Sequence, residues 1–402
     1  MKFFLLLFIF ISHIFASPLQ DAINNAKAYS TIKLSNATYN GNIIINKPLN
    51  IIGKGDNVII KGDGDGSVIK IRSSNVELKN LTITNSGSRM NTIDAAISID
   101  KAKYCKIESC KLLDSLYGID MVMTQHSIIK NNYITSKNFA ISMRGNALKI
   151  YYSHHNLFKN NTIEKSRDIT LNYSHNNLFD GNKFINNRFA THLSLSNGNT
   201  FINNIYKYNS VSILTMGAKD TNITNNIIQS SKGAAGIGVV IAGVSNFHLE
   251  HNKINFNAKA IYIDGKEKAK GMKRYINYNE ISYNKEAIHF HATVKDNTIT
   301  HNKIFGNIED VVKDTKNSFA KSNVVEYNYW DRYMGFDKNN DGMGDTPYKV
   351  YQYASQLWQY NHKLKFFYAS PIMTLLDFMT QLAPFIEPNL ILEDKKPIFQ
   401  SF

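Results

Sequence analysis

Residues Leu157–Ile163 read LFKNNTI, and the second asparagine, Asn161, stands two residues before an apolar one. The same frame returns as LFDGNKF (178–184), FINNIY (201–206), ITNNII (223–228), LEHNKI (249–254), INYNEI (276–281) and ITHNKI (299–304). Written as apolar, any, any, Asn, any, apolar, the fourth position falls on Leu81, Cys110, Asn132, Asn161, Asn182, Asn204, Asn226, Asn252, Asn279, Asn302 and Asn328, in steps of 21 to 29 residues. A repeat in the twenties is the mark of a solenoid, in which each unit is buried by its neighbours. Leucine-rich repeats share that period, but they need Leu at fixed spacing, and this chain places Ile, Val and Asn instead.

Around each Asn the apolar residues alternate with period two, as in VELKNLTI (76–83), AISID (96–100) and AIYID (260–264), which is a strand pattern. Two or three short strands per period, with Asn and Gly between them, make one coil of a parallel β-helix. Equivalent asparagines then stack from coil to coil, and their amides bond along the axis, which removes the cost of burying them. Asn also suits the tight bend that turns the chain between faces. The expected fold is all-β, a parallel β-helix of about ten to twelve coils over residues 18–330. LQDAINNAK (19–27) reads as a short amphipathic helix sealing the first coil, and the repeat stops after Trp330.

The chain has 402 residues, 43% hydrophobic and 12% aromatic, enough for a large core and unlike a disordered protein. Its formal charge of +14 comes from scattered rather than clustered lysines, so nucleic acid is not the expected partner. Met1-Lys2 followed by FFLLLFIFISHIFA and a small-residue exit near Ala16 or Ser17 reads as a secretory signal over residues 1–17, with an uncleaved anchor as the alternative. Only Cys105 and Cys110 are present, and both fall on inward slots of the repeat, which points to packing rather than to a disulfide or redox site.

Beyond the repeat, residues 331–365 contain DKNNDGMGD, which offers oxygen ligands at Asp337, Asn339, Asp341 and Asp345 with Gly342 at the sharp turn. The late bidentate acid of a calcium loop is replaced by Tyr348, so a structural Ca²⁺ and a metal-free turn both stand. In residues 366–402, Ser370 caps and Pro371 opens a helix whose apolar residues recur at helical spacing to Leu382. An extended apolar tail follows. This segment is either a cap folded back on the solenoid or a docking element, with Pro371, Leu375, Leu376, Phe378, Leu382, Pro384 and Phe385 as its contact residues and KLKFFY (363–368) suited to a membrane interface.

Acid–base chemistry on polysaccharides needs clustered carboxylates. Asp100, Asp120 and Asp264 are outward candidates, but they are isolated or far apart along the axis, and no Ser or Cys has a base in its pattern. The chain reads as a non-enzyme, with an exported polysaccharide-active enzyme or carbohydrate-binding module as the alternative. Soft donors are more suggestive: Met121, Met123 and His126 lie in IDMVMTQH, His192 in ATHLSLS, and Met216 in ILTMGAK. If Thr191, Leu193, Ile213 and Thr215 point inward, His192 and Met216 point outward on adjacent rungs, diagonal to one another. His289 and His291 share an outward face. Met with His is a Cu(I)-type donor set, although alternating methionines also suit a core and lone histidines a plain surface.

The stretches LTITNSGSRMNTIDAAISI (81–99), LYGIDM (116–121), MRGNALKIYYS (143–153), SRDITL (166–171), NRFATHLSLS (187–196) and NSVSILTMGAKDTNITNN (209–226) closely resemble the NosD family. NYWDRYMGFDKNNDGMGDTPY (328–348) resembles a wider set of exported β-helix domains, and SPIMTLLDFMTQLAPFIEPNLILEDKKP (370–397) is the stretch most specific to NosD. The resemblance implies a right-handed parallel β-helix in the periplasm. It also implies partnership with an ABC transporter permease at the inner membrane and with a copper chaperone, in assembling the copper–sulfide centre of nitrous-oxide reductase. By position, His192 and Met216 match a His and a Met of the family. Ser194 stands where the family has a further Met, and Ile169 and Ala190 replace glycines.

Overall fold

The structure, a computed structural model, describes residues 18–264, 272–291, 295–314, 323–352, 362–367, 370–382 and 389–399. The proposed signal (1–17), Pro384 and Phe385 lie outside the described residues. Three parallel sheets run from residue 31 to residue 330. The first has thirteen strands, from Thr31–Leu34 to Val324–Glu326. The second has thirteen, from Ala37–Asn40 to Tyr329–Trp330. The third has twelve, from Ile43–Ile45 to Glu309–Lys313. Within each sheet every strand pairs with its equivalent one coil earlier, as in Leu157↔Leu178↔Thr200. The expected parallel β-helix is therefore the fold, with about twelve coils.

Strands of three to six residues suffice because each coil turns sharply between sheets. At the corner joining the first and second sheets, the residue before each ladder Asn takes a left-handed conformation, with φ of 56° at Asn131, 53° at Asn160, 67° at Gly181 and 58° at Asn203. Asn and Gly enter that region at the least cost, which explains the NN pairs of the sequence. In the last four coils the same slot holds His251, Tyr278, His301 and Tyr327, whose rings stack 5.0, 4.8 and 5.2 Å apart and offset the strain.

The second residue of each corner is the ladder itself. Asn132 Nδ2 donates to Asn161 Oδ1 at 2.9 Å, and the chain of amides continues through Asn182, Asn204, Asn226, Asn252, Asn279 and Asn302 to Asn328. Each Oδ1 also accepts a backbone N–H of the preceding coil, as Asn182 Oδ1 does from Asn161 at 3.0 Å. Cys110 occupies the ladder slot, and its N–H donates to Asn132 Oδ1 at 2.9 Å. Both cysteines are buried free thiols. Burial pushes both upward, Cys110 to about 12, so neither is a reactive thiolate. Further ladders of the same design link Asn156, Asn177 and Asn199, and Asn257, Asn284 and Asn307. The apolar core between the sheets stacks in register too, with Phe158, Phe179 and Phe201 rings 4.3 and 4.9 Å apart.

Both ends are covered. Helix Pro18–Asn25 buries Leu19 and Ile23 against the first coil. At the far end, Tyr348–Gln352 pairs antiparallel with Asn389–Asp394, so the end segment and the tail form one cap. The tail's main chain also bonds to the last rung, with Ile398 N–H donating to Asn328 O at 3.0 Å and Tyr327 N–H to Lys396 O at 2.9 Å. Residues 389–399 therefore fold back rather than extend away from the solenoid. No described helix is long and apolar enough to cross a membrane.

Candidate functional site

The outward face of the third sheet carries two of the soft donors, His192 and Met216. Strand Phe189–Ser194 turns Thr191 and Leu193 into the core and leaves His192 outside. His192 registers with Leu214 on the next strand, and Ser194 with Met216, so His192 and Met216 lie diagonally on neighbouring rungs as the alternation predicts. Met216 is 47% exposed. His192 is packed against the edge of the Phe189 ring, whose face carries the Arg188 guanidinium. Arg188 in turn holds Asp168 through two nitrogens. Burial, helped by Arg188 and opposed by Asp168, lowers the His192 pKa and keeps the ring neutral. Its Nε2 is buried without a hydrogen-bond partner. A neutral ring can carry its proton on Nδ1 and present Nε2 as a bare lone pair.

The Met121, Met123 and His126 group divides. Met121 is 0% exposed and belongs to the core, so it is no surface ligand; this corrects its place among the copper donors. Two residues apart on one strand, it and Met123 would share a face. The strand ends at Val122, however, and Met123 turns outward with φ 50°. His126 is also at a corner, stacked between Tyr104 (5.5 Å) and His155 (5.1 Å). Beside it lie His154 and His175, which the sequence reading missed although SHHN (153–156) and SHNN (174–177) repeat one signal. Their rings stack 5.0 Å apart, and each Nδ1 accepts a backbone N–H of the next coil. These histidines are spent on the corner.

His289 and His291 do share a face, but within a closed charge network. Nδ1 of His289 is 2.5 Å from Glu286 Oε2, its Nε2 is 3.3 Å from Asp314 Oδ2, and Lys259 Nζ also meets Glu286. Burial opposes the charge on His289, yet the two carboxylates prevail and raise its pKa. Among the described residues no three His, Cys, Asp or Glu side chains are gathered to hold a metal ion.

In the end segment, Asp337, Asn339 and Asp341 come together in a turn whose side-chain oxygens accept the loop's own N–H groups: Asp337 Oδ2 from Gly342 at 2.8 Å and Asp341 Oδ1 from Met343 at 2.8 Å. Asp345 Oδ2 accepts from Lys338 N–H at 2.7 Å. Helix Pro371–Leu382 begins as expected, with Ser370 Oγ accepting Met373 N–H at 3.3 Å. Of its described apolar side chains only Met373 is buried; Leu375 is 58%, Phe378 55% and Leu382 70% exposed, and Pro371 and Leu376 are exposed too. The 12-residue helix thus leaves most of its described apolar side chains exposed.

A stack of coils with buried amide ladders and a closed C-terminal cap defines a parallel β-helix scaffold. Solved structures agree on the fold and show the fold alone. The chain matches the Azotobacter vinelandii mannuronan C-5 epimerase AlgE6 A-module with TM-score 0.50 and 16% identity, over 76% of this chain and 92% of that one. It matches the N-terminal fragment of bacteriophage Phi29 gene product 12 with TM-score 0.52 and 12% identity, over 74% and 66%. The chain belongs to the family described as Periplasmic copper-binding protein (NosD), whose sequence model matches residues 130–335. It is 25% identical over 382 residues, 92% of this chain and 89% of the relative, to the probable ABC transporter binding protein NosD of Pseudomonas aeruginosa. A protein of the same description from Stutzerimonas stutzeri is 27% identical over 125 residues, 31% of this chain and 28% of the relative.

Proposed function

We propose that this chain is a periplasmic accessory protein for assembly of the copper–sulfide centre of nitrous-oxide reductase. It acts beside an ABC transporter permease at the inner membrane and a copper chaperone, and is not itself an enzyme. The observation that carries the reading is His192 on the outward face of the third sheet, diagonal to the exposed thioether of Met216. Imidazole and thioether are soft donors, and two such ligands suit Cu(I) held for transfer rather than kept. Copper is cargo in this reading. The exposed helix Pro371–Leu382 supplies the second half: it docks the permease through Leu375, Leu376, Phe378 and Leu382, in line with the relatives' description as transporter-binding.

The test is a host that makes the reductase but lacks this chain, complemented with wild type or with His192→Ala/Met216→Ala. The expected result is a reductase short of copper and acid-labile sulfide with the double variant. Full copper and sulfide content with the double variant, or without any copy of this chain, would discard the reading.

A further inference from the structure

One slot in the third sheet changes character in the final coil. Following the register back from the last strand, the slot holds Ala190, Ser212, Gly238, Ala260 and Ala287, all small, neutral and buried. In Glu309–Lys313 the same slot holds Asp310, 3% exposed. The Tyr348 hydroxyl donates to its Oδ2 at 2.8 Å, but Oδ1 is buried with no hydrogen-bond partner. Asp310 lines a cavity of about 620 Å³ whose walls include Ile308, Arg332, Met334, Val350 and Phe378.

The cations near this carboxylate have other partners. Arg332 Nη2 donates to the carbonyls of Asn307 (2.9 Å) and Ile308 (2.8 Å), and Lys349 Nζ pairs with Glu393 at 3.8 Å. A buried carboxylate oxygen left without a donor is costly, and a guest with a strong donor recovers that cost. Burial raises the Asp310 pKa to about 6, with Arg332 opposing, so near pH 7 the group is still mostly ionised and seeks positive charge. The apolar walls suit a methylene stem. Thr374 and Phe378 in the wall belong to the exposed helix, so the cavity lies directly beside it.

We propose that the cavity receives a lysine or arginine side chain of the same transporter subunit that covers helix Pro371–Leu382, with its cationic head towards the Asp310 carboxylate and its stem along Met334, Val350 and Phe378. This rests on the docking reading above. It adds a charge-specific pocket to an otherwise apolar contact, which gives the contact its register.

The test uses the full chain, with n-butylguanidinium as the probe and n-butanol as its neutral counterpart, binding being read by ligand-observed NMR. Asp310→Ala restores the residue of the preceding coil and so keeps the fold, and Asp310→Asn keeps the shape. The expected result is binding of n-butylguanidinium to wild type, at least tenfold weaker binding to both variants, and none of n-butanol. Equal binding by Asp310→Asn, or n-butanol binding as tightly as the cation, would overturn the pocket's chemistry. In the second arm the chain is co-purified with its transporter. Leu375→Asp/Leu382→Asp, which leaves the cavity wall intact, should bind the probe as wild type does yet lose the transporter. Retained transporter there sinks the docking reading alone. Transporter recovery that neither Asp310→Asn nor excess n-butylguanidinium reduces sinks the partner assignment for the cavity.

Discussion

Asn328 donates its side-chain N–H to Asp394 Oδ2 at 2.9 Å across 66 residues of sequence, and the same oxygen accepts the Trp330 indole N–H at 2.9 Å and the Asn328 backbone N–H at 3.1 Å. The amide ladder has no further coil to lean on at Asn328, and the returning tail supplies the missing acceptor. Removing that acceptor leaves buried donors unpaired, each at a cost of about 1–3 kcal/mol. Asp394→Ala is therefore expected to destabilise the protein by about 3 kcal/mol or more. Asp394→Asn, which retains one carbonyl oxygen, should cost much less. Urea unfolding of the three proteins decides it, and equal midpoints for wild type and the Ala variant would reject the closure.

Mid-ladder asparagines should be more sensitive than their exposed neighbours at the left-handed slots. Asn226 bonds to Asn204 on one side and Asn252 on the other and reaches back to Phe201 O at 2.9 Å. Asn226→Ala should cost about 3 kcal/mol by the same accounting, while Asn225→Gly, at a φ of 55°, should be near neutral. Comparable losses from the two variants in thermal unfolding would rule out the ladder as the source of stability.

The Asp310 carboxyl gives a pH signature. Its pKa rises from the ordinary value of 3.8 to about 6 because burial disfavours the charged form. Below both values the group is protonated in folded and unfolded chains and has no effect. As pH climbs from 3.8 towards 6 the unfolded chain releases its proton first, so stability falls, by about 3 kcal/mol in full, and then levels off. Relative to Asp310→Ala, which has no such carboxyl, wild type should thus lose stability between pH 4 and pH 7. A gap between the two that stays constant across pH 4–7 would show that the carboxyl is not strained by burial.

Copper affinity should follow His192 and Met216 rather than the corner histidines. In competition with a chromogenic Cu(I) chelator, His192→Ala/Met216→Ala is expected to lower affinity at least tenfold. His154→Ala should leave it unchanged, because that ring's Nδ1 is held by the His175 N–H at 3.0 Å. The reverse order would move the copper contact to the corner.

Calcium binding to the 337–345 loop is measured by titration calorimetry. If the loop takes the ion, Asp337→Asn/Asp341→Asn abolishes the heat, since a hard cation needs their charged oxygens. No heat with wild type would leave the loop as a turn closed by its own N–H groups.

Much of this architecture was legible because the repeat writes each contact many times. Asn161 alone says little, but the same amide every two dozen residues forces a stack, and alternation around it places Ile163 and Phe184 inside. The face of His192 followed from Thr191 and Leu193 in the same way. What escaped the sequence are the contacts made once. Nothing near Asp394 announces that it closes a ladder begun at Asn132. Asp310 looks like an ordinary polar residue until its register with Ala287 shows a carboxylate in a slot for small side chains. Met121 and Met123 were separated by a turn that begins one residue earlier than alternation alone suggests.

The position of Asp394, 66 residues after the Asn328 it seals, also orders the making of the molecule. A polypeptide delivered across a membrane with its N-terminus leading can wind coil upon coil as it emerges, each new rung held by the one before. The last rung stays unsealed until residues 389–399 arrive. A product lost before that point would present a bare row of donors and an uncovered apolar floor, the kind of surface on which a second, equally unfinished helix can seat itself end to end.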